Sequence, residues 1–293
     1  MFKECLESDT YAKGKGSTVA KIIEGKLDDH TISGIAGVAN IGSDINWCGH
    51  PFGQANWYAF GRLAWNPQVS SAGIAEDWIR MTFSNDARFI EPVKQLMLGS
   101  REAAVNYMMP LGLNHIMNLG THYGPGPWDK IPGWNAWDYH RADSLGIGYD
   151  RSSAGSNAVS QYATPLNMQY DQLNTCPEKY LLWFHHVPWN YKMPSGNILW
   201  DELLIKYYGG VTYVRQMERT WNSLKGKVDE QRFNQVKQLL AQQEREAIWW
   251  RDGSAMHFQT YSHLPIPPAL ERPQHDLEYY KKNIFSVKLI AYE

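Results

Sequence analysis

The chain has 293 residues, 43% of them hydrophobic, so it can bury a substantial core in one large domain or two smaller ones. Its 28 basic and 30 acidic residues nearly balance, which gives no electrostatic reason to expect nucleic acid or an anionic membrane as a partner. Three well-separated cysteines indicate neither a disulfide framework nor a structural metal site, and buried free thiols are the expected state.

Signals for membranes, cofactors and metals are also missing from the sequence. No run approaches the ~20 apolar residues of a membrane-spanning helix, and the first residues contain no apolar segment of signal-peptide length. We therefore expect a soluble chain, whose compartment stays open between cytoplasm, periplasm and extracellular space. Neither a GxxxxGKS phosphate loop nor an HExxH zinc motif occurs, so the sequence predicts no cofactor and no metal.

The first predicted elements form one strand–helix unit. A short helix lies within residues 15–24, with Ser17 as its cap. Residues 32–39 are small and apolar between turn formers, which predicts a strand buried on both faces. After a turn rich in Gly and Asn, a helix covers residues 51–64 and stops before Pro67. This order is typical of one β/α unit in a parallel barrel.

Helices dominate the rest of the predicted chain. Apolar residues recur at helical spacing in residues 71–83, 88–109, 178–186, 197–224 and 229–252. The last two of these segments carry matching stripes and form a predicted helical hairpin. The fold class is therefore mainly α, with a barrel segment at residues 1–67 and a helical domain at residues 68–293. A long Trp-rich loop at residues 112–157 interrupts the helices, and the tail after residue 265 shows no clear element.

Four aspartates in this loop are candidate catalytic carboxylates: Asp129, Asp138, Asp143 and Asp150. Glycoside hydrolysis usually needs two carboxyl groups that flank the scissile bond, and the loop tryptophans suit sugars because an indole offers an apolar face and an N–H donor. Aspartate is also a common turn residue that hydrogen-bonds its own backbone, and we favour that role here. Tryptophans that only fill the core remain the alternative to sugar binding.

The histidines are expected to have structural roles. His115, His122 and His140 lie in the loop without the spacing of metal ligands. His185 and His186 end a predicted helix, where an imidazolium would interact favourably with the helix dipole.

Five unusual strings occur in a fixed order along the chain. They are KECLESDTYAKGK at residues 3–15, the segment at residues 34–65, HYGP at residues 122–125, SLGIGYDR at residues 144–151 and TCPEKYLLWFHHVP at residues 175–188. Together they resemble the α-glucuronidases of glycoside hydrolase family 67, from about Phe2 to at least Asp252. The resemblance implies that the chain holds the last β/α unit of a (β/α)8 barrel and the largely helical carboxyl-terminal region that follows it.

The same resemblance implies a function, the inverting release of glucuronic acid or its 4-O-methyl form from xylo-oligosaccharides in xylan breakdown. The family's catalytic carboxylates lie on barrel strands upstream of Met1, so no catalytic residue is assigned and the chain alone is expected to be inactive. One binding role carries over to the string WNAWDYHRAD at residues 134–143, where a Trp helps to form the aglycone side of the pocket. Trp137 is the best match, and Trp134 is the near alternative.

The implied partners are a xylo-oligosaccharide that bears glucuronic acid, the missing upstream catalytic domain, and a second copy bound through the helical region. Another interpretation stays open: a non-catalytic module that dimerises or binds carbohydrate, since Glu218 and Gln243 interrupt the apolar stripes of the hairpin. A third is that the chain is not stable alone, because a single barrel strand has no neighbours and exposed strand edges favour association.

Overall fold

The computed structural model describes residues 1–39 and 49–285. These residues belong to two compact units. Unit 1 holds Met1–Arg101 and Gln216–Ala241, and unit 2 holds Glu102–Arg215 and the described residues from Gln242 onward. The predicted domain boundary at residue 67 separates the barrel segment from the helical domain of the resembled family. It stays a prediction.

Helices make up most of the described chain. The first five are α1 (Phe2–Glu7), α2 (Val19–Ile23), α3 (Pro51–Trp65), α4 (Ser71–Thr82) and α5 (Ala87–Met108). The next six are α6 (Trp137–His140), α7 (Leu166–Asp171), α8 (Leu181–Phe184), α9 (Leu199–Asn222), α10 (Glu230–Ser262) and α11 (Leu277–Lys282). Single 3-10 turns cover Pro110–Gly112, Ala158–Gln161 and Glu178–Tyr180. The fold is mainly α, as the sequence predicts.

The strands of the described residues are two residues long and form two separate antiparallel pairs. The strands β1 (Lys130–Ile131) and β2 (Trp134–Asn135) form an antiparallel hairpin, and β3 (Gly146–Ile147) pairs antiparallel with β4 (Val187–Pro188).

The predicted strand at residues 32–39 is wrong for the described part of the chain. These residues form no strand and are exposed; Ile32 is 92% and Val38 is 98% exposed. A strand exists only when neighbouring strands accept and donate its backbone hydrogen bonds, and the described residues supply none here. Residue 40 and most of the turn after it lie outside the described residues, as does Cys48.

Two local expectations near the amino terminus also need correction. Thr18, not Ser17, caps α2, because its side chain accepts from the backbone N–H of Lys21. Ser17 is buried, and its hydroxyl donates to the carbonyl oxygen of Gly14 at 2.7 Å. Cys5 is exposed rather than buried.

An aromatic cluster packs the core of unit 1 around Trp221 of α9. The Trp221 ring centroid lies 5.5 Å from that of Phe83, 5.8 Å from that of Phe89 and 6.0 Å from that of Phe233. The indole N–H of Trp221 donates to the carbonyl oxygen of Phe233 at 2.9 Å, so the polar edge of this buried ring is satisfied. His50 caps the start of α3, because its Nδ1 accepts from the N–H of Phe52 at 3.0 Å and so satisfies one free N–H of the first turn.

The larger core lies in unit 2, between parts of α5, α9 and α10 and the loop elements. A continuous α10 replaces the shorter helix predicted for residues 229–252 and ends at Ser262. The tail also contains α11, whose start Asp276 caps by accepting from the N–H of Tyr279 at 2.8 Å. The helices α1, α6, α7 and α11 have no counterpart among the predicted elements, because helices of four to six residues carry too few apolar repeats to show a stripe.

Candidate functional site

The loop of residues 112–157 is held against α8 by a close approach of two chain segments. Gly148 has a φ of +105°, and a side chain there would overlap the carbonyl oxygen of His185. The Tyr149 N–H donates to the carbonyl of Leu182 at 3.2 Å, and the Arg151 N–H donates to the carbonyl of Phe184 at 2.8 Å. The loop residues after Gly148 are therefore positioned next to the side chains of α8.

Trp137, the predicted sugar-binding residue, is fixed and partly exposed at the start of α6. Its indole N–H donates to the carbonyl oxygen of Ala142 at 2.9 Å, and its backbone N–H donates to the side chain of Asn135 at 3.1 Å. The guanidinium carbon of Arg141 lies 4.4 Å from its ring centroid, while 36% of the residue remains exposed. A held indole with an accessible surface is the arrangement that stacking on a sugar requires.

Trp134, the alternative, belongs to a different ring cluster. Its ring centroid lies 5.8 Å from that of His115 and 6.1 Å from that of Tyr139, and the rings of His115 and Tyr139 stack at 4.5 Å. Its indole N–H is buried and has no hydrogen-bond partner among the described residues. The two predicted tryptophans therefore contact different partners, Trp134 the rings of His115 and Tyr139 and Trp137 the guanidinium of Arg141.

Five side chains of unit 2 alternate between aromatic and cationic groups, and we call them the cation–aromatic row: Trp137, Arg141, Tyr149, Arg151 and Trp183. The Arg141 guanidinium lies 4.4 Å from the ring centroid of Trp137 and 5.2 Å from that of Tyr149. The Arg151 guanidinium lies 4.5 Å from Tyr149 and 3.9 Å from Trp183. Each separation is within the range of a cation–π interaction, so the row is continuous.

The two arginines of this row differ in their charge partners. Arg141 forms an ion pair with Asp138 at 3.3 Å. Arg151 has no carboxylate within ion-pair distance in the part of the chain that the structure describes, and its Nη1 donates to the carbonyl oxygen of Trp183. Partial burial lowers the pKa of Arg151, because removing a charge from water disfavours it.

Sequence reasoning did not assign Arg141, Tyr149, Arg151 and Trp183 to a site. Tyr149 and Arg151 lie in the string SLGIGYDR and Trp183 lies in TCPEKYLLWFHHVP, two of the strings that carry the family resemblance. Their assembly depends on the pairing of β3 with β4, which brings together segments that are far apart in sequence.

Two of the candidate aspartates serve turns. Asp143 Oδ1 accepts from the N–H of Leu145 at 2.7 Å. Asp150 Oδ1 accepts from both the N–H and the hydroxyl of Ser152, at 3.0 and 2.6 Å. A side-chain oxygen that accepts from the backbone two residues later is the usual role of aspartate in a turn.

The other two aspartates also have partners in unit 2. Asp129 Oδ2 accepts from the N–H of Leu119 and from the side-chain amide of Asn118, each at 2.8 Å. Burial raises the pKa of Asp129. Asp138 pairs with Arg141. The turn interpretation therefore fits Asp143 and Asp150, whereas Asp129 binds a segment ten residues earlier and Asp138 forms an ion pair.

His140 is a buried structural residue, as expected. Its Nδ1 accepts from the N–H of Ala142 at 3.0 Å, which places the ring proton on Nε2, and Nε2 donates to the carbonyl oxygen of Pro127 at 2.9 Å. Burial lowers its pKa to about 4, so the ring is neutral at pH 7. In the described residues, no three His, Cys, Asp or Glu side chains are grouped closely enough to hold a metal ion.

The prediction that His185 is a charged imidazolium that interacts with the dipole of α8 is wrong. Its Nε2 lies 2.8 Å from the carbonyl oxygen of Tyr170, and burial lowers its pKa, so the ring is uncharged at neutral pH and bound elsewhere. Nδ1 of His186 lies 2.9 Å from the carbonyl oxygen of Gly148, so the segment after α8 also contacts the loop.

Two domains of one protein family match consecutive stretches of the chain. The C-terminus of glycosyl hydrolase family 67 matches residues 48–271, and the middle domain of this family matches residues 1–47. The chain belongs to glycosyl hydrolase family 67. This confirms the family that the five strings indicated.

Curated fungal proteins named alpha-glucuronidase resemble the chain over most of its length. "Alpha-glucuronidase A" of Emericella nidulans is 35% identical over 269 residues, which is 90% of this chain and 31% of the relative. "Alpha-glucuronidase" of Hypocrea jecorina is 34% identical over 268 residues, 90% of this chain and 31% of the relative. "Alpha-glucuronidase A" of Aspergillus tubingensis is 34% identical over 278 residues, 94% of this chain and 33% of the relative. The family 67 chain therefore spans about a third of the length of these relatives.

Within its described residues, none of the helices combines the length and apolar character that crossing a bilayer requires.

Proposed function

We propose that this chain is the carboxyl-terminal part of an inverting α-glucuronidase, which releases glucuronic acid or its 4-O-methyl form from xylo-oligosaccharides. The proposal is supported by the family and by the names of the relatives. The general acid and the base would come from the parts of those enzymes that this chain does not cover. Inversion needs one carboxyl group as acid and another that activates water on the opposite face of the sugar. The four loop aspartates have partners in unit 2 and are not assigned these roles.

In this proposal Trp137 supplies a stacking surface for the xylose next to the scissile bond. The observation that carries it is an indole held by one hydrogen bond from its own N–H, one from the Trp137 backbone N–H and one guanidinium, while 36% of the residue remains exposed. The C–H face of a pyranose is apolar and suits an aromatic ring. Trp134, whose indole N–H is buried, is the less suitable of the two tryptophans.

Replacement of Trp137 tests this role. We expect Trp137→Ala to weaken the binding of xylotriose by about tenfold, because the stacking contact is lost. Trp65→Ala is the matched control, since Trp65 is 91% exposed in unit 1 and should leave the affinity unchanged. The measurement is an NMR or calorimetric titration of the whole chain with xylotriose. Equal affinity in the Trp137→Ala variant would remove this residue from the site.

We further propose that the rest of the family's middle domain packs on the exposed apolar surface of unit 1. Ile32, Val38 and Trp65 are each more than nine-tenths exposed. Residues 1–47, which include the first two, match that middle domain, while two thirds of the relatives' length lies outside this chain. An apolar surface of this kind is typical of an interface whose other side is not present.

A homodimer through the helical region, or a purely carbohydrate-binding module, remains the alternative proposal. One of the polar residues that motivated it has a partner inside unit 2, since the Gln243 side-chain amide lies 3.4 Å from the Tyr107 hydroxyl. Sedimentation of the chain over a range of concentrations tests dimerisation, and a chain that stays strictly monomeric would count against it.

A further inference from the structure

Two adjacent charged side chains of α10 are buried in unit 2. Arg251 and Asp252 are both 0% exposed, and Nε of Arg251 donates to Oδ1 of Asp252 at 2.7 Å. Removing two charges from water is unfavourable unless the opposite charge and further hydrogen bonds compensate for the lost hydration. A segment that supplies such bonds is therefore held in one arrangement, because its displacement would leave a buried charge without its partner.

Both charges find further partners in residues 271–285, which we call the tail strap. Nη1 of Arg251 donates to the carboxylate of Glu271 at 2.9 Å. Oδ2 of Asp252 accepts from the hydroxyl of Tyr280 at 3.0 Å. The strap is therefore fastened to α10 at two charged contacts, and nearly all of it lies beyond the stretch that matches the C-terminus of family 67.

A short hairpin at residues 116–126 forms part of the long loop, and we call it the loop hairpin. The Asn118 N–H donates to the carbonyl of Gly124 at 2.9 Å, and the Gly126 N–H donates to the carbonyl of Ile116 at 2.8 Å. A hairpin of this size is at best marginally stable in water, so its order depends on packing against other elements. It carries the HYGP string, and Tyr123 of that string is 50% exposed.

The end of the tail strap packs on this hairpin. Gly124 has a φ of +69°, and a Cβ there would lie 3.1 Å from Cβ of Phe285 and 3.4 Å from the ring of Trp249 on α10. Phe285 is only 8% exposed, and its ring centroid lies 5.8 Å from that of Trp249. The Tyr280 ring that binds Asp252 packs on the same indole, with the centroids 4.9 Å apart. The hairpin backbone therefore contacts both α10 and the strap.

We propose that the tail strap is a conformational latch that holds the loop hairpin on α10, with the Arg251–Asp252 pair as its lock. When Tyr280 leaves Asp252, Phe285 leaves the hairpin as well, and the hairpin loses the apolar cover on which its order depends. Strap and hairpin then open together as one local unit, without unfolding of the rest of unit 2. The latch thereby sets where the exposed HYGP string is presented.

Hydrogen exchange of the whole chain, followed amide by amide with NMR, tests this latch. Tyr280→Phe removes the hydroxyl that Asp252 accepts and should speed the exchange of the Asn118 and Gly126 amides about tenfold, because the loss of one buried hydrogen bond makes local opening easier. The Gln274 amide, which donates to Oδ2 of Asp252 at 3.0 Å, should exchange faster as well.

Two further variants separate the lock from the packing contact. Phe285→Ala removes the packing on Gly124 and should speed the exchange of the hairpin amides while Gln274 keeps its wild-type rate. Tyr279→Phe is the matched control, because Tyr279 is the neighbour of Tyr280 on α11 and is 39% exposed. It should change neither set of amides.

Reference amides distinguish local opening from unfolding of the whole unit. The Val159 and Cys176 amides donate at 3.1 and 2.9 Å in parts of unit 2 outside the strap and the hairpin. Hairpin amides that keep their wild-type rates in Tyr280→Phe and Phe285→Ala would overturn the latch, and so would reference amides that speed up as much as the hairpin amides do. If only Phe285→Ala has an effect, the charged lock is wrong. If Tyr280→Phe does not fold, Phe285→Ala decides the question.

Discussion

Two buried imidazoles in unit 2 show how single residues make this chain sensitive to acid. The rings of His140 and His257 lie 5.7 Å apart, and burial lowers their pKa values to about 4 and about 3. Both rings are therefore neutral in the folded chain at pH values where the same rings in the unfolded chain, with a pKa near 6.5, already take up protons. Lowering the pH therefore reduces the free energy of unfolding in the range where the unfolded state binds more protons than the folded state.

We predict that the free energy of unfolding falls as the pH is lowered from about 6.5 to about 4. For His140 alone the pKa difference corresponds to on the order of 3 kcal/mol. Urea unfolding at pH 7.5 and pH 5 measures this. His140→Asn should be less stable at pH 7.5 but lose less stability on acidification, whereas the exposed control His122→Asn should behave like wild type. An unchanged pH dependence in His140→Asn would contradict the assignment.

At the scale of elements, the crossing of α5 and α9 depends on one of two adjacent glycines. A Cβ on Gly210 would lie 2.6 Å from the backbone nitrogen of Tyr107 and 2.9 Å from the carbonyl oxygen of Ala103, both on α5. A Cβ on Gly209 would have no neighbour within 4 Å among the described residues. The two helices can therefore approach closely only because residue 210 has no side chain.

This pair of glycines gives a matched prediction. Gly210→Ala should destabilise the chain by about 1–3 kcal/mol, because the helices must separate. Gly209→Ala should stabilise it by about 0.5–1 kcal/mol, because alanine is the better helix former at an open position. Denaturant midpoints of the two variants measure both effects, and similar midpoints would show that the helices do not cross as described.

The elements also show what the sequence can and cannot predict. The predicted bounds of α3, α4, α5 and α9 and the predicted start of α10 agree closely with the structure, because long amphipathic helices carry their pattern locally, but α10 continues ten residues beyond its predicted end. The strand at residues 32–39 was wrong, since apolar residues form a strand only beside other strands. Trp137 was placed by resemblance, whereas Arg151 could not be found, because its contact with Trp183 depends on tertiary structure.

At the scale of the whole molecule, the exposed apolar residues of unit 1 should make the isolated chain associate. Ile32, Val38 and Trp65 offer hydrophobic area that burial in a second surface would remove from water. We predict concentration-dependent association in sedimentation velocity, which Trp65→Ser should weaken and Met168→Ser, an exposed control in unit 2, should not. Association that Trp65→Ser leaves intact would instead favour a dimer through the helical region.

Our proposal makes this chain the sugar-contacting and structural part of an α-glucuronidase whose catalytic carboxylates lie in the parts of the relatives that it does not cover. The most direct test is to incubate the purified chain with xylotriose that carries 4-O-methylglucuronic acid and to measure the acid released. We predict no release above that of buffer, even at high protein concentration and long times. Release that is proportional to protein concentration and is lost in a variant of any loop aspartate would contradict this account.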